Sequence, residues 1–402
     1  MNVLFLTILR IDDINDRGIY PDLLRKFSHE GHNVYIITPV ERKHIRKSIL
    51  VRKDNVNILK VKTLLLQKAN PVGKWLYNYI LGWQYFVVIK EHLPKVRFDL
   101  ILYSTPPITF SNLVRYIKQQ HGALSYLLLK DIFPQNAVDL GLIRHGGLLH
   151  KYMRIQEKKL YAISDYIGCM SPANVEYLHK NNPEISPMNI EVNPNSHELF
   201  EEPVTEFMKS QTRLNYGIPP DVTLFIYGGN LGKPQGIDFV VNFLESQKGR
   251  NECFFLIVGS GTDYKKIELW LAREKPENVR LIPEMVKREY NKLLRSSDVG
   301  MIFLDQRFTI PNFPSRLLSY LEYRLPVLAA TDRNTDLGEI LENNHFGIWS
   351  ESGDIQTISQ NVRQLSSDPD LRSEMGKNGY RYFLNNYTVD HSYNIIMKHF
   401  EN

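Results

Sequence analysis

Short apolar runs alternate with helix-like apolar spacing along almost the whole chain, which is the pattern of a parallel α/β fold. In the first half, the strand-like runs are residues 3–9, 33–38, 56–61, 100–103, 125–129, 166–170 and 190–192. In the second half, they are residues 224–227, 254–258, 279–282, 299–304 and 327–330. Helical patterns lie between most of these runs. The sequence therefore predicts two doubly wound, Rossmann-like sheets.

The chain is too long for a single hydrophobic core. Its 402 residues suit two domains, each of about 200 residues. Three prolines (Pro203, Pro219 and Pro220) mark a linker. We predict an N-terminal domain at 1–200, a linker at 201–220, a C-terminal domain at 221–385 and a terminal helical segment at 386–402.

Glycine-rich turns follow two strands of the second half. The first turn reads Tyr-Gly-Gly-Asn-Leu-Gly-Lys-Pro-Gln-Gly over 227–236, and the second reads Gly-Ser-Gly over 259–261. Glycines between a strand and a helix let backbone N–H groups approach a ligand closely, and a helix start favours an anion. A tight turn without a ligand is the alternative for each one. Ligands of open α/β sheets bind at such carboxyl ends of strands.

A third turn precedes the apolar run 327–330. Pro314 and Ser315 come just before a short amphipathic helix pattern, and Arg316 lies in its first turn. Ser315 is expected to cap the helix with its hydroxyl group. A cation is slightly unfavourable at a helix start, so Arg316 indicates an anion beside it. A solvated arginine is the alternative.

These motifs resemble a known family. GNLGKPQGID, FLIVGSGTDYKKIE and FPSRLLSYLEYRLPVLAA follow one another as in GT4-type glycosyltransferases of the GT-B fold. LLLKDIFPQNAVDLGLI and IEVNPNSHELF agree in the first half. The chain is most similar to the WbuB-like group, which builds bacterial surface polysaccharides. The resemblance implies two Rossmann-like domains facing across a cleft, with a C-terminal helix that crosses back to the N-terminal domain.

The resemblance also implies an activity. We expect a glycosyltransferase that moves an N-acetylhexosamine or deoxy-amino sugar from a nucleoside diphosphate donor, UDP-linked, with retention of configuration. The expected acceptor is a polyprenyl-diphosphate-linked saccharide of O-antigen, capsule or lipopolysaccharide biosynthesis. The enzyme is expected to be cytoplasmic, associated peripherally with the inner face of the membrane, and to need no cofactor.

Site residues follow from the resemblance, position by position. Arg316, Lys130 and Asp131 are expected to be catalytic, with Lys130 standing where many relatives have histidine. A helix cap before Pro134 is the alternative role for Asp131. The expected donor-binding residues are Gly18, Gly229, Asn230, Gly232, Lys233, Gly259, Glu284, Pro314, Ser315 and Ser319.

The chain departs from the family pattern at one pair of positions. Many relatives carry two glutamates eight positions apart, and the matching residues here are Pro311 and Ser319. The second glutamate usually holds the nucleotide ribose, and a serine makes a weaker hydrogen bond. Glu322, one turn along the same helix, is a candidate substitute or a plain surface residue.

Nothing in the sequence indicates a metal or a disulfide framework. Asp12, Asp13 and Asp16 form an acidic turn without a DxD pattern after a strand, so no catalytic metal is predicted. Cys169 and Cys253 each lie in a predicted strand and are expected to be core residues. The N-terminal apolar run lacks a basic region before it, which argues against a signal peptide.

Charge is distributed unevenly along the chain. Residues 1–200 carry a balance of +9 and residues 201–402 a balance of −4. Thirteen basic residues lie between Arg42 and Arg97. They are interleaved with Trp75, Tyr77, Tyr79, Trp83, Tyr85 and Phe86. This basic aromatic segment suits an anionic membrane surface, and a solvated basic surface over core aromatics is the alternative. The longest apolar-aromatic run, residues 75–89, is too short for a membrane span. No nucleic-acid motif accompanies the basic aromatic segment.

Other functions remain open at this point. A nucleotide-sugar epimerase would share the GT-B fold but would not need the basic aromatic segment. A non-catalytic partner subunit of a transferase is favoured by the changes at Pro311 and Ser319. A nicotinamide-dependent oxidoreductase is disfavoured, because Tyr264 replaces the third glycine of the dinucleotide fingerprint.

Overall fold

The computed structural model describes residues 1–41, 44–63, 71–199 and 205–401, without the side chains of 71–79. The chain divides into two compact units. The first comprises Met1–Glu198 and Thr388–Asn402, and the second comprises Leu199–Tyr387.

The first unit is built on an eight-stranded sheet. Its strands are β1 (Asn2–Leu6), β2 (Asn33–Glu41), β3 (Ile49–Lys53), β4 (Val56–Thr63), β5 (Leu100–Ser104), β6 (Leu124–Leu129), β7 (Tyr166–Cys169) and β8 (Ile190–Val192). Its helices are α1 (Ile19–His29), α2 (Pro71–His92), α3 (Ser111–His121), α4 (Gln135–Asp139), α5 (Leu148–Ile163) and α6 (Pro172–Asn181). The strand order is β3-β4-β2-β1-β5-β6-β7-β8.

The second unit is built on a six-stranded, fully parallel sheet. Its strands are β9 (Thr223–Asn230), β10 (Cys253–Ser260), β11 (Val279–Pro283), β12 (Val299–Phe303), β13 (Val327–Thr331) and β14 (Gly347–Glu351). Its helices are α7 (Glu206–Asn215), α8 (Ile237–Ser246), α9 (Tyr264–Glu274), α10 (Lys287–Arg295), α11 (Arg316–Glu322), α12 (Leu337–Asn343), α13 (Ile355–Ser367) and α14 (Pro369–Asn386). The strand order is β11-β10-β9-β12-β13-β14.

The apolar runs of the sequence become buried strands because parallel sheets are covered on both faces. All five residues of β5, β12 and β13 are buried. Both cysteines are buried and free, as expected. The prediction of two doubly wound α/β domains is therefore confirmed.

Three segments differ from the sequence-based expectation. The strand β3 pairs antiparallel with β4 at the sheet edge. Its apolar run is only three residues long and is followed by Arg52 and Lys53, and four of its five residues are exposed. The strand β14 is also absent from the strand-like runs predicted from the sequence. The helix α7 occupies part of the expected linker, because Arg213 is bonded to the Ser296 carbonyl and the Asp298 carboxylate of the second unit.

The C-terminal segment belongs to the first unit, as predicted for the terminal helix. Its helix, α15 (Val389–Met397), packs on α1. Asp390 lies 2.6 Å from the Lys26 ammonium group, and the Tyr393 hydroxyl lies 2.8 Å from His32 Nε2. The side chain of Ile396 is fully buried in the core of the first unit.

Candidate functional site

A pocket lies where the strand order of the second unit reverses. The chain runs from β9 to β10 and β11 on one side, then returns to β12 on the other side of β9. Ligands of open α/β sheets bind at the carboxyl ends of the strands beside such a reversal. The pocket has a volume of about 530 Å³. Its lining includes five predicted donor-binding residues: Gly229, Asn230, Gly259, Glu284 and Ser319.

The strands β9 and β12 separate toward this pocket. They pair only at Phe225 with Val299 and at Ile226 with Gly300. The Tyr320 hydroxyl lies 3.3 Å from the Ile226 carbonyl oxygen and 3.0 Å from the Met301 carbonyl oxygen, so it bridges the two strands. Gly300 leaves room for this ring, because a Cβ atom there would lie 2.4 Å from Tyr320 Cγ.

Arg316 lies beside the pocket with an unpaired donor. Its guanidinium carbon lies 4.2 Å from the centroid of the Tyr227 ring, in a cation–π contact. Its Nη1 atom is buried and has no hydrogen-bond partner among the described residues. An unsatisfied buried donor on a charged group is costly. An anionic group of a ligand would remove that cost.

Tyr227 connects Arg316 to the first glycine turn. Its hydroxyl donates to the Asn230 carbonyl at 2.7 Å, and its ring supports the guanidinium group. A Cβ atom at Gly229 would lie 3.4 Å from Arg316 Nη2, so the turn passes close to the cation. The sequence analysis did not select Tyr227. The only signal for it was an aromatic residue immediately before the glycines.

The two glycine turns pack against each other. A Cβ atom at Gly259 would lie 1.9 Å from the Gly229 carbonyl oxygen, a contact that only glycine tolerates. Gly229 has a φ of 130°, a backbone conformation that other residues rarely adopt. These two glycines therefore permit close approach of two turns, with the pocket at their edge.

Lys233 and Gly232 are not among the described residues that line the pocket beside Arg316. Lys233 lines a second pocket, of about 460 Å³, together with Lys266 and Arg307. The Gly232 amide is not free, because it donates to Gln235 Oε1 at 3.3 Å. The sequence analysis predicts both residues to bind the donor. The buried Gln235 side chain, which also accepts from Asn230 Nδ2 at 2.8 Å, orders the turn instead.

Ser315 does not cap its helix with its side chain. Its φ and ψ of −63° and −20° are already helical, and its hydroxyl makes no capping hydrogen bond. An N-cap side chain reaches the following amides from an extended backbone, which explains the difference. The first turn is closed instead by the Pro314 carbonyl, which accepts from the Leu317 amide at 3.2 Å.

The lining of the pocket includes polar groups from α10, α11 and the segment after β11. Glu284 Oε2 accepts from the Ser260 hydroxyl at 2.6 Å, and Ser319 comes from α11. Asn291 and Tyr290 of α10 also line the pocket. Glu322, the suggested substitute for the family glutamate, is not among the described residues that line it.

Lys130 and Asp131 lie in the first unit, directly after β6. Both backbone amides donate hydrogen bonds to Thr105 Oγ1, at 3.1 and 3.2 Å. Burial lowers the pKa of Lys130 to about 7 and raises the pKa of Asp131 to about 6. The Lys130 ammonium group donates to the Asn193 carbonyl at 3.3 Å. Two neighbouring side chains thus change charge near neutral pH.

Tyr20 is a further residue near Asp131 that the sequence analysis did not select. Burial raises the pKa of Tyr20 to about 12, a hydrogen bond with Ser104 opposes this, and the Asp131 charge adds to it. Gly18, predicted to contact the donor, has its amide occupied by Asp22 Oδ1 at 2.9 Å. This hydrogen bond lies at the start of α1.

The described part of the basic aromatic segment forms an apolar pocket between α2 and α3, of about 400 Å³. Trp83 is 66% exposed at this pocket. Lys90 Nζ lies 5.2 Å from the Phe86 ring centroid, whereas Tyr85 is a core residue bonded to the Thr7 carbonyl. Arg42 and the side chains of Trp75, Tyr77 and Tyr79 lie outside the described residues.

Two further properties bear on partners. Among residues 1–41, 44–63, 71–199 and 205–401, no three His, Cys, Asp or Glu side chains are grouped so that they could hold a metal ion. Within the same ranges, no helix has the length and apolar character needed to cross a membrane.

Comparison with known proteins finds a family match within the second unit. Residues 208–382 match the sequence model described as glycosyl transferases group 1. Over these residues, the second unit is similar to the group 1 glycosyl transferases. A curated relative, the probable glycosyltransferase WbjE of Pseudomonas aeruginosa, is 21% identical over 257 residues. That alignment covers 63% of this chain, and the chain spans 62% of the relative's length.

Solved structures show the same fold over the whole chain. Sucrose-phosphate synthase of Thermosynechococcus elongatus has a TM-score of 0.78 at 15% identity, covering 100% of this chain and 98% of its own. WaaG, a glycosyltransferase involved in lipopolysaccharide biosynthesis, has a TM-score of 0.69 at 13% identity, covering 98% and 99%. Anabaena HepE in complex with UDP has a TM-score of 0.71 at 13% identity, covering 100% and 99%. The GT-B fold predicted from the motifs is confirmed.

Arg316→Ala should slow sugar transfer by about 10²-fold, the scale for removing one preorganised electrostatic group. Lys233→Ala removes a cation from the other pocket and is the matched control, with an effect within a few fold. Tyr227→Leu removes the ring under the guanidinium group, which costs about 0.5–2 kcal/mol, whereas Tyr227→Phe keeps that ring. Steady-state kinetics with the melting temperature of each variant are the measurement. Equal rates for the Arg316 and Lys233 variants would contradict this assignment.

The pH dependence of kcat/KM should be bell-shaped and narrow. The rate rises as Asp131 ionises near its pKa of about 6 and falls as Lys130 loses its proton near its pKa of about 7. Asp131→Asn should remove the acid limb, and Lys130→Met the alkaline limb. The same limbs in both variants as in the wild type would show that other groups titrate.

Proposed function

We propose that this protein is a retaining glycosyltransferase that uses a UDP-linked sugar. One observation carries the proposal: the buried, unpartnered Nη1 atom of Arg316 beside Gly229, at the strand reversal of a parallel sheet. A guanidinium group held in this way by Tyr227 suits a phosphate, because it needs no reorganisation when charge develops on the leaving group.

The reaction requires a stabilised leaving group and a positioned hydroxyl. The bond between the sugar anomeric carbon and the diphosphate oxygen breaks, and a bond from that carbon to the acceptor oxygen forms. With retention, the acceptor approaches from the face that the diphosphate leaves, and its hydroxyl proton passes to the departing phosphate oxygen. Arg316 stabilises the diphosphate. Asp131 accepts a hydrogen bond from the acceptor hydroxyl, and Lys130 contacts a phosphate.

Several observations support a UDP-linked donor. HepE, which shares the fold, is solved with UDP and with UDP-glucose. In this chain, the pocket beside Arg316 offers Glu284, Asn291 and Ser319 to a nucleoside. The transferred sugar is proposed to be an N-acetylhexosamine or deoxy-amino sugar, which rests on the resemblance to the WbuB-like group alone.

The proposed acceptor is a polyprenyl-diphosphate-linked saccharide of O-antigen or capsule biosynthesis. The basic balance of residues 1–200 suits a diphosphate and an anionic membrane. The apolar pocket at Trp83 suits a hydrocarbon chain. WaaG, of the same fold, is named as acting in lipopolysaccharide biosynthesis. We therefore propose peripheral association with the inner face of the cell membrane.

A nucleotide screen tests the donor assignment. UDP and UDP-sugars should raise the melting temperature more than GDP, ADP or dTDP compounds, because only a ligand of the folded state stabilises it. The shift should be lost in Arg316→Ala and kept in Lys233→Ala. A preference for another nucleotide would overturn the UDP assignment. Binding without transfer to any lipid-linked saccharide would favour the non-catalytic partner suggested by Ser319, and interconversion of the donor sugar would favour the epimerase.

Transfer should persist in excess EDTA. The proposed mechanism balances the diphosphate charge with Arg316 and backbone amides, so a divalent ion is not needed. Initial rates with EDTA and with added Mg²⁺ or Mn²⁺ are the measurement. A rate that EDTA abolishes and only a divalent ion restores would overturn the metal-free mechanism.

A further inference from the structure

An exposed stripe of alternating aliphatic and basic residues runs along α5. Leu148, Lys151, Ile155 and Lys159 follow one another at spacings of three or four, so they share one side of the helix. Leu148 is 89% exposed and Ile155 is 51% exposed. Leu142, in the loop before the helix, is 47% exposed. We call these five residues the α5 outer face.

The charges on this face are not balanced by acids. Lys151 and Lys159 have no carboxylate within ion-pair distance among the described residues. The one acidic residue of α5, Glu157, is buried on the opposite side and is paired with Arg154 and the Tyr161 hydroxyl. The outer face therefore presents cations and apolar groups together.

We propose that the α5 outer face docks on an anionic lipid surface. Aliphatic side chains between lysines match the boundary between headgroups and acyl chains, and the lysines attract anionic headgroups. The proposal rests on the proposed use of a lipid-linked acceptor. It assigns membrane contact to a helix outside the basic aromatic segment.

The position of α5 in the fold relates this surface to the residues proposed to bind the acceptor. The connection that leads into α5 begins with Lys130 and Asp131, directly after β6. The helix α3 packs against both α5 and α2, so the α5 outer face and the apolar pocket at Trp83 belong to helices on one side of the sheet. Docking there would bring a lipid-linked saccharide to the residues proposed to handle it.

Vesicle co-sedimentation of the full chain tests the proposal. The wild type should bind vesicles containing phosphatidylglycerol and not pure phosphatidylcholine vesicles, and salt should weaken binding. Lys151→Glu/Lys159→Glu should lower the binding constant by at least about 25-fold, since each basic residue contributes about fivefold. Leu148→Ser/Ile155→Ser should also lower it.

A matched control exists on α9 of the second unit. Leu269 is 69% exposed and Lys265 is exposed four residues before it. Lys265→Glu/Leu269→Ser should bind vesicles as the wild type does. The UDP-induced melting shift should be unchanged in every variant, so a negative vesicle result leaves the proposed use of a UDP-linked donor intact.

Two outcomes would overturn the proposal. In the first, the α5 variants bind vesicles as the wild type does, whether or not Trp83→Ala/Lys90→Glu abolishes binding. In the second, light scattering shows that the wild type is a dimer and the Leu148→Ser/Ile155→Ser variant is a monomer, so that a second copy covers the face.

Discussion

The candidate site depends on the stacking of the Arg316 guanidinium group on the Tyr227 ring, 4.2 Å from its centroid. This contact holds a cation in a place where Nη1 has no described partner. An unpaired buried donor lowers the stability of the protein without a ligand. It favours binding of an anion, because the cation is already oriented. Tyr320, which bridges β9 and β12, and Gly300, which admits its ring, keep the strands apart at this point.

In the first unit, burial shifts the pKa values of two neighbouring side chains, Lys130 and Asp131. Thr105 Oγ1 accepts hydrogen bonds from the backbone amides of Lys130 and Asp131, and these bonds fix the turn after β6. The low-dielectric surroundings disfavour charge on both side chains, so their pKa values move toward each other, to about 7 and about 6. Groups with pKa values near the working pH are suited to proton transfer and to binding that changes with charge.

The sequence predicts the fold better than the site. Every predicted strand run overlaps a strand, because buried parallel strands carry a continuous apolar signal. The exposed edge strand β3 is not predicted, since its apolar run of three residues ends at Arg52 and Lys53. Arg316 and Gly229 do lie together, since both follow strands at the reversal. The sequence does not show that Gln235 occupies the Gly232 amide, or that Lys233 faces another pocket. Both features depend on which way individual side chains of one turn are oriented, and residue types alone do not determine this.

A crystal structure of the UDP complex is the most direct test of this account. We expect a phosphate oxygen within hydrogen-bonding distance of Arg316 Nη1, with the uridine in the pocket lined by Glu284 and Ser319. A diphosphate bound instead by Lys233 and Lys266 in the neighbouring pocket, with Nη1 still unpaired, would contradict it.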